Sequence, residues 1–313
     1  MSVLGQVWEI IRNIFGNIVV FCVLAAAVFL LLEIIRYHTG HKQGYSGDAE
    51  EGDNKKRSRA ALVIGASSGL GSEFARRISE TEEDIDIVYL VARREDRLHN
   101  LAGELKKASR VIAADICVAK DLERLEEILE EDCADIRIFV NCAGFAKIGN
   151  YSKLDIRDSD AMVDTNVRAA VDVTVLALKY MHEGARLIEV CSTAAFSPLT
   201  HLNIYAAGKA FLYSYTRALR LELLPRRIRV TALCPWWIRD TEFIPVAQDS
   251  KGKDAVGHFP FAGSSKRVVR SCMRSNRRGF AVSTPGVMCT LHRIFSKLIP
   301  RKLMLYLWEV FRR

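Results

Sequence analysis

The sequence predicts an α/β protein centred on a doubly wound parallel sheet of about seven strands, with helices on both faces. Short β-branched runs alternate with longer amphipathic stretches from Ala60 onward, as in AALVI, EFARRI and DIVYLVA, the pattern of repeated βαβ units. The first run leads straight into a glycine-rich turn, GASSGLG, and then into a helix beginning near Ser72. The chain has 313 residues, half of them apolar, which is room for one large or two ordinary domains with a substantial core.

Ahead of that pattern, Ile14 to Leu32 (IFGNIVVFCVLAAAVFLLL) is a run of 19 residues with no charge and one polar side chain, Asn17. At ~1.5 Å per residue it nearly spans a ~30 Å hydrocarbon core. It exceeds the ~7–15 residue apolar stretch of a signal peptide, and the following EIIRYHTG lacks a small-residue cleavage site. Residues 1–37 therefore read as a single-pass transmembrane helix. Arg12 precedes it, whereas Arg36, Lys42, Lys55, Lys56, Arg57 and Arg59 follow, an asymmetry that places the main body on the cytoplasmic side. Residues 38–59, HTGHKQGYSGDAEEGDNKKRSR, have almost nothing to bury and read as a polar linker.

The main domain is expected over 60–283. Its strands are AALVI, DIVYLVA, Arg110–Ala114, Arg137–Asn141, Arg186–Val190, Arg229–Leu233 and Gly279–Val282. Residues 284–313 form a basic amphipathic segment, ending FSKLIPRKLMLYLWEVFRR. It suits either a membrane interface or a terminal helix packed on its own domain. Ser264 to Arg313 holds 12 Lys and Arg against one acid, Glu309, a local +11; with +8 for the whole chain, residues 1–263 carry −3. Such an end can meet nucleic acid or anionic lipid. Phe295, Tyr306, Trp308 and Phe311 alternate with leucines rather than lining a basic groove, which favours membrane lipid and argues against nucleic acid. The eight cysteines show no CxxC and read as reduced residues without disulfides. No cluster of metal ligands is evident.

Glycines in GASSGLG allow backbone amides to approach a pyrophosphate at the N-terminus of the next helix. After the second strand come Ala92, Arg93 and Arg94, where an acid would favour NAD. A guanidinium suits a 2′-phosphate instead, so NADP (as NADPH) is preferred over NAD. Arg93 is the candidate, and Arg94 has an ordinary reading as a solvated helix-start residue. In HLNIYAAGKAFLY, Tyr205 and Lys209 are one helical turn apart, so a nearby ammonium is expected to acidify a phenol that ordinarily titrates near ~10.

Together these residues, from Ala60 to about Val282, resemble the one-domain short-chain dehydrogenase/reductases that often act on lipids and steroids. The matching motifs are GASSGLG, Asp115 with Ile116, NCAG at 141–144, Asn166, Ser192 and YAAGK at 205–209. The resemblance implies a Rossmann-like domain in which Tyr205 is the general acid/base, Lys209 lowers its pKa and holds the nicotinamide ribose, Ser192 orients the substrate oxygen, and Asn166 supports a water. It also implies that Gly65, Ser67, Ser68, Gly69, Leu70 and Gly71 wrap the diphosphate. Asp115 and Ile116 would meet adenine, while Asn141, Ala143 and Gly144 would line the ribose side. Pro235 and Thr241 would complete the cofactor site. Cys142 stands where relatives carry Asn, and Trp236 where they carry Gly, with Thr241 one residue late.

Substrate should meet the loops at the strands' carboxyl ends. There the chain offers Phe145, Phe196, Leu199, His201, Trp236, Trp237 and Phe243, so an apolar carbonyl/alcohol pair is expected, with Phe196, Trp236 and Trp237 as contacts beside Ser192 and Tyr205. A homodimer or homotetramer is what the resemblance implies. The alternative is a non-catalytic NADP-binding redox sensor at the membrane.

Overall fold

The computed structural model describes residues 16–29, 31, 57–250, 256–257 and 259–312. The chain divides into two units, Met1–Gly52 and Asp53–Arg313. In the first, residues 16–29 are helical and their side chains exposed. Among the described residues no helix is long and apolar enough to cross a membrane. The single-pass anchor and the cytoplasmic placement read from it are thereby overturned. The remainder of 1–37 and most of the 38–59 linker lie outside the described residues.

The second unit holds a seven-stranded, wholly parallel sheet in the order β3-β2-β1-β4-β5-β6-β7. The strands are β1 (Ser58–Ile64), β2 (Ile87–Ala92), β3 (Ala108–Ala113), β4 (Ala134–Asn141), β5 (Arg186–Val190), β6 (Arg229–Leu233) and β7 (Val282–Ser283). All seven expected strands exist. β1 starts two residues early, since Ser58 and Arg59 already pair with β4. β7 starts late, because Gly279 and Phe280 close the preceding helix, with Phe280 N donating to Ser275 O at 2.9 Å.

The helices that matter for the site are α1 (Gly69–Thr81), α2 (Glu95–Glu104), α3 (Ala119–Glu131), α4 (Ile156–Val163), α5 (Ala169–Lys179), α6 (Asn203–Glu222), α7 (Phe243–Gln248), α8 (Ser265–Arg277), α9 (Val287–Leu298) and α10 (Arg301–Phe311). Central strands are apolar on both faces, as a parallel sheet covered on both sides requires. Leu62 and Ile64 belong to one buried cluster and Ala61 and Val63 to the other. α6 buries Tyr205, Lys209, Leu212, Thr216 and Leu219, an i, i+4, i+7 stripe that draws the tyrosine and lysine inward with the core residues. α9 and α10 show the packed alternative for the C-terminal segment: Met304 and Trp308 are buried, and Trp308 Nε1 donates to Thr200 O at 3.0 Å.

Candidate active site

Strand order reverses between β1 and β4, and a crevice of about 750 Å³ opens at the carboxyl ends there, the usual ligand position in such sheets. Its floor is the β1–α1 turn. A Cβ at Gly71 would lie 2.1 Å from Gly65 O, so the turn closes on itself only without a side chain. Ser68, the N-cap of α1, makes no side-chain capping bond, and the first turn carries no acid. The leading amides of a 13-residue helix are thus left for an anion. These features fit a dinucleotide's diphosphate, with Gly65, Ser67, Ser68, Gly69, Leu70 and Gly71 all on the wall. Thr241 lies over Gly69, whose added Cβ would sit 3.4 Å from Thr241 Cβ. The shifted threonine therefore still reaches the turn.

Arg93 and Arg94 both line the crevice but are held differently. The Arg93 side chain is 74% exposed and 3.9 Å from Asp115. Arg94 is drawn in: its Nε and Nη2 donate to Ser67 Oγ at 3.3 and 3.2 Å, and its Nη1 to Glu242 Oε2 at 2.8 Å. Arg97 also pairs with Glu242, so α2 and the segment after β6 are tied together across the crevice. Asp115 accepts from Cys117 N at 2.9 Å; with Ile116, Ala143 and Gly144 it lines the same wall. Asn141 lies behind it, buried, with Oδ1 accepting from Ala143 N at 3.2 Å. Cys142 packs against the core beneath.

Ser192 follows β5, and its Oγ accepts from Ala194 N at 3.1 Å and hydrogen-bonds to Tyr205. Lys209 Nζ donates to Val190 O at 2.7 Å and stands 5.8 Å from the Tyr205 ring centroid. All three line the crevice. Burial pushes the Tyr205 phenol well up, with the Ser192 bond opposing, and pushes the Lys209 ammonium down. The expected acidification of Tyr205 by Lys209 is not seen: burial raises the phenol, and the bond that opposes it comes from Ser192. Asn166 sits in a π-helical turn, Asp164–Arg168, between α4 and α5. Its amide donates to Phe145 O at 2.8 Å and accepts from Phe145 N at 3.0 Å. A Cβ on Gly144 would meet Asn166 Oδ1 at 2.6 Å and Lys209 Nζ at 3.1 Å, so the bare backbone at Gly144 lets these two groups close up behind the crevice.

On the substrate side, Trp236 and Trp237 line the crevice, as do Phe145, Leu199 and Phe243. Trp236 Nε1 donates to Pro260 O at 2.9 Å, and Phe243 packs on the Tyr205 ring at 5.4 Å. Phe196 and His201 are not on the wall. The Phe196 ring turns instead to Tyr213 and His292, at 5.4 and 6.0 Å. Sequence reasoning missed the far wall, built by α9 and α10 through residues such as Leu291, Phe295, Leu307, Trp308 and Phe311. Their alternation with basic residues was the available signal. Among the described residues no cluster could hold a metal ion, and the eight cysteines are free, Cys22 being exposed.

Comparison with known proteins agrees with this geometry. Sulfoacetaldehyde reductase 2 of Chromohalobacter salexigens is 32% identical over 203 residues, 62% of this chain and 79% of that protein. A solved short-chain dehydrogenase from Sphingobium yanoikuyae in complex with NADPH superposes with a TM-score of 0.64 at 25% identity, covering 79% of this chain and 94% of that one. The bulky-bulky ketone specific alcohol dehydrogenase from Comamonas testosteroni gives 0.62 at 25% identity, over 80% and 94%. The sequence profile of the short chain dehydrogenases matches residues 59–251, well over half of the chain, and the protein belongs to that family of oxidoreductases.

Proposed function

We propose that the chain uses NADP(H) to interconvert an apolar ketone and its secondary alcohol, with Tyr205, Ser192 and Lys209 as its chemical groups. The observation that carries this reading is their convergence on one crevice with the α1 turn. When bound, the nicotinamide supplies or accepts a hydride at the carbonyl carbon. The protein's part is the oxygen. Tyr205, held protonated by burial, gives its proton to that oxygen in the reducing direction. The Ser192 hydroxyl orients the oxygen, and Lys209, with one of three donors spent on Val190 O, holds positive charge alongside. The bulky-bulky ketone specificity named for the Comamonas alcohol dehydrogenase and the NADPH of the Sphingobium structure support the substrate and cofactor classes. Apolar walls from Trp236, Trp237 and Phe243 favour a bulky ketone over a small charged aldehyde.

The test is a panel of both substrate types with the purified full chain, following NADPH absorbance. Turnover of bulky apolar ketones is expected; reduction of small charged aldehydes alone would overturn the reading. Cofactor choice rests on Arg94 rather than Arg93. Losing its charge-assisted bonds costs about 1.5–3 kcal/mol, so Arg94→Ser is expected to raise the KM for NADPH roughly 10–100-fold. NADH kinetics should stay nearly level, and Arg93→Ser should do much less, as initial rates with each coenzyme will show.

A further inference from the structure

We infer that Glu189, sealed inside β5, is the counter-charge that sets the protonation of Lys209 and so positions the proton chemistry of Tyr205. This rests on the function proposed above. Glu189 has no exposed surface, and nothing in the roles assigned so far uses it. Its strand neighbour Val190 supplies the carbonyl that anchors Lys209 Nζ at 2.7 Å. Across the sheet Glu189 is in register with Asn141 on β4 and Ala232 on β6. α5 presents the Thr174 hydroxyl, 2.6 Å from Glu189 Oε1. The titratable groups acting with it are Lys209 and Tyr215 of α6 and Cys142 beyond β4. Glu189 Oε2 and Asn141 Nδ2 both lack a hydrogen-bond partner of good geometry.

The contacts describe a site built for two protonation states. Thr174 Oγ1 lies 2.7 Å from Ala170 O and 2.6 Å from Glu189 Oε1, yet a hydroxyl has one proton to give. With Glu189 neutral, its O–H donates to Thr174, which donates to Ala170 O. With Glu189 ionised, Thr174 turns to the carboxylate. Burial raises the carboxyl to about 8, so the exchange falls in a working pH range. Burial drives the ammonium off Lys209, and Cys191, Glu189, Cys142 and Cys234 oppose it; of these Glu189 is the carboxylate, and ionised it holds the charge there. Removing the carboxylate therefore makes Lys209 lose its proton at lower pH.

The experiment uses the full chain and two readouts. In Glu189→Gln, which keeps the side-chain shape, the alkaline limb of kcat/KM for ketone reduction moves to lower pH by about one unit. The second readout needs no turnover, so it separates failure of this inference from failure of the proposed function. It is the denaturant stability of the parent relative to E189Q, measured against pH without coenzyme. The native parent keeps a proton that its unfolded chain has lost, so its relative stability falls as pH rises from 4.5 to about 8. Lys209→Met, removing the cation, moves the upper edge of that fall to higher pH. A limb within about 0.2 unit of the parent's, or an edge that Lys209→Met leaves in place, overturns the inference. Should E189Q fail to fold, Thr174→Val keeps the carboxyl but raises its titration, and the limb moves the same way by less; a limb that stays in place overturns the inference too.

Discussion

Replacing Tyr205 with Phe is expected to lower kcat for ketone reduction about 10³-fold, the usual weight of a positioned general acid. The change removes one oxygen and little else. The ring packs on Phe243 at 5.4 Å within a buried cluster that includes Leu202 and Ala206, and a phenyl ring keeps those contacts. The phenol's side-chain partner is Ser192, whose Oγ retains its bond from Ala194 N at 3.1 Å. Folding and coenzyme affinity should therefore stay near the parent's, which thermal melts and fluorescence titration with NADPH will check. Loss of turnover with retained coenzyme binding identifies a proton donor. A change in KM alone would reduce Tyr205 to a lining residue, and an unchanged biological output would favour a sensor that binds without reacting.

Gly71→Ala is expected to act through the backbone. The added methyl would lie 2.1 Å from Gly65 O, 2.7 Å from Gly65 C and 3.1 Å from Ala66 Cα, and none of these atoms belongs to a side chain that can turn away. Relief requires opening the β1–α1 turn. Overpacking of this kind costs about 3 kcal/mol, or a melting point lower by roughly 6–12 °C for a domain of this size. The same opening displaces the α1 amides, so NADPH affinity should fall by about 100-fold or more. Gly103→Ala is the matched control. It lies in α2 with nothing within 4 Å of an added Cβ, and Ala is the better helix former by roughly 1 kcal/mol. Differential scanning calorimetry and a coenzyme titration on the two variants separate a general glycine effect from the close approach.

What could be read in the sequence was what local pattern encodes. The strands, the glycine turn and the spacing of Tyr205 and Lys209 are short-range features, and each falls where expected, apart from small shifts at strand ends. What failed depends on residues far apart. The solvated helix-start reading of Arg94 does not see Glu242, its partner 148 residues away. Phe196 was placed at the substrate, yet its ring is claimed by His292 from α9. The apolar run at Ile14 to Leu32 shows hydropathy by composition alone, and among the described residues no helix is long and apolar enough to cross a membrane. The electrostatics of Tyr205 were missed for a related reason: the spacing gives the neighbour but not the burial.

The family profile ends at residue 251, whereas α9 and α10 wall the crevice beyond it. A protein cut back to the shared portion would keep Tyr205 and the glycine turn but stand open on one flank. On the proposed function, the groups that react and part of the wall that meets the substrate then lie in different stretches of the chain. If that wall selects the substrate, substitutions in the last few dozen residues change what is admitted without altering the reacting groups, and a relative with the same chemistry need not accept the same molecules.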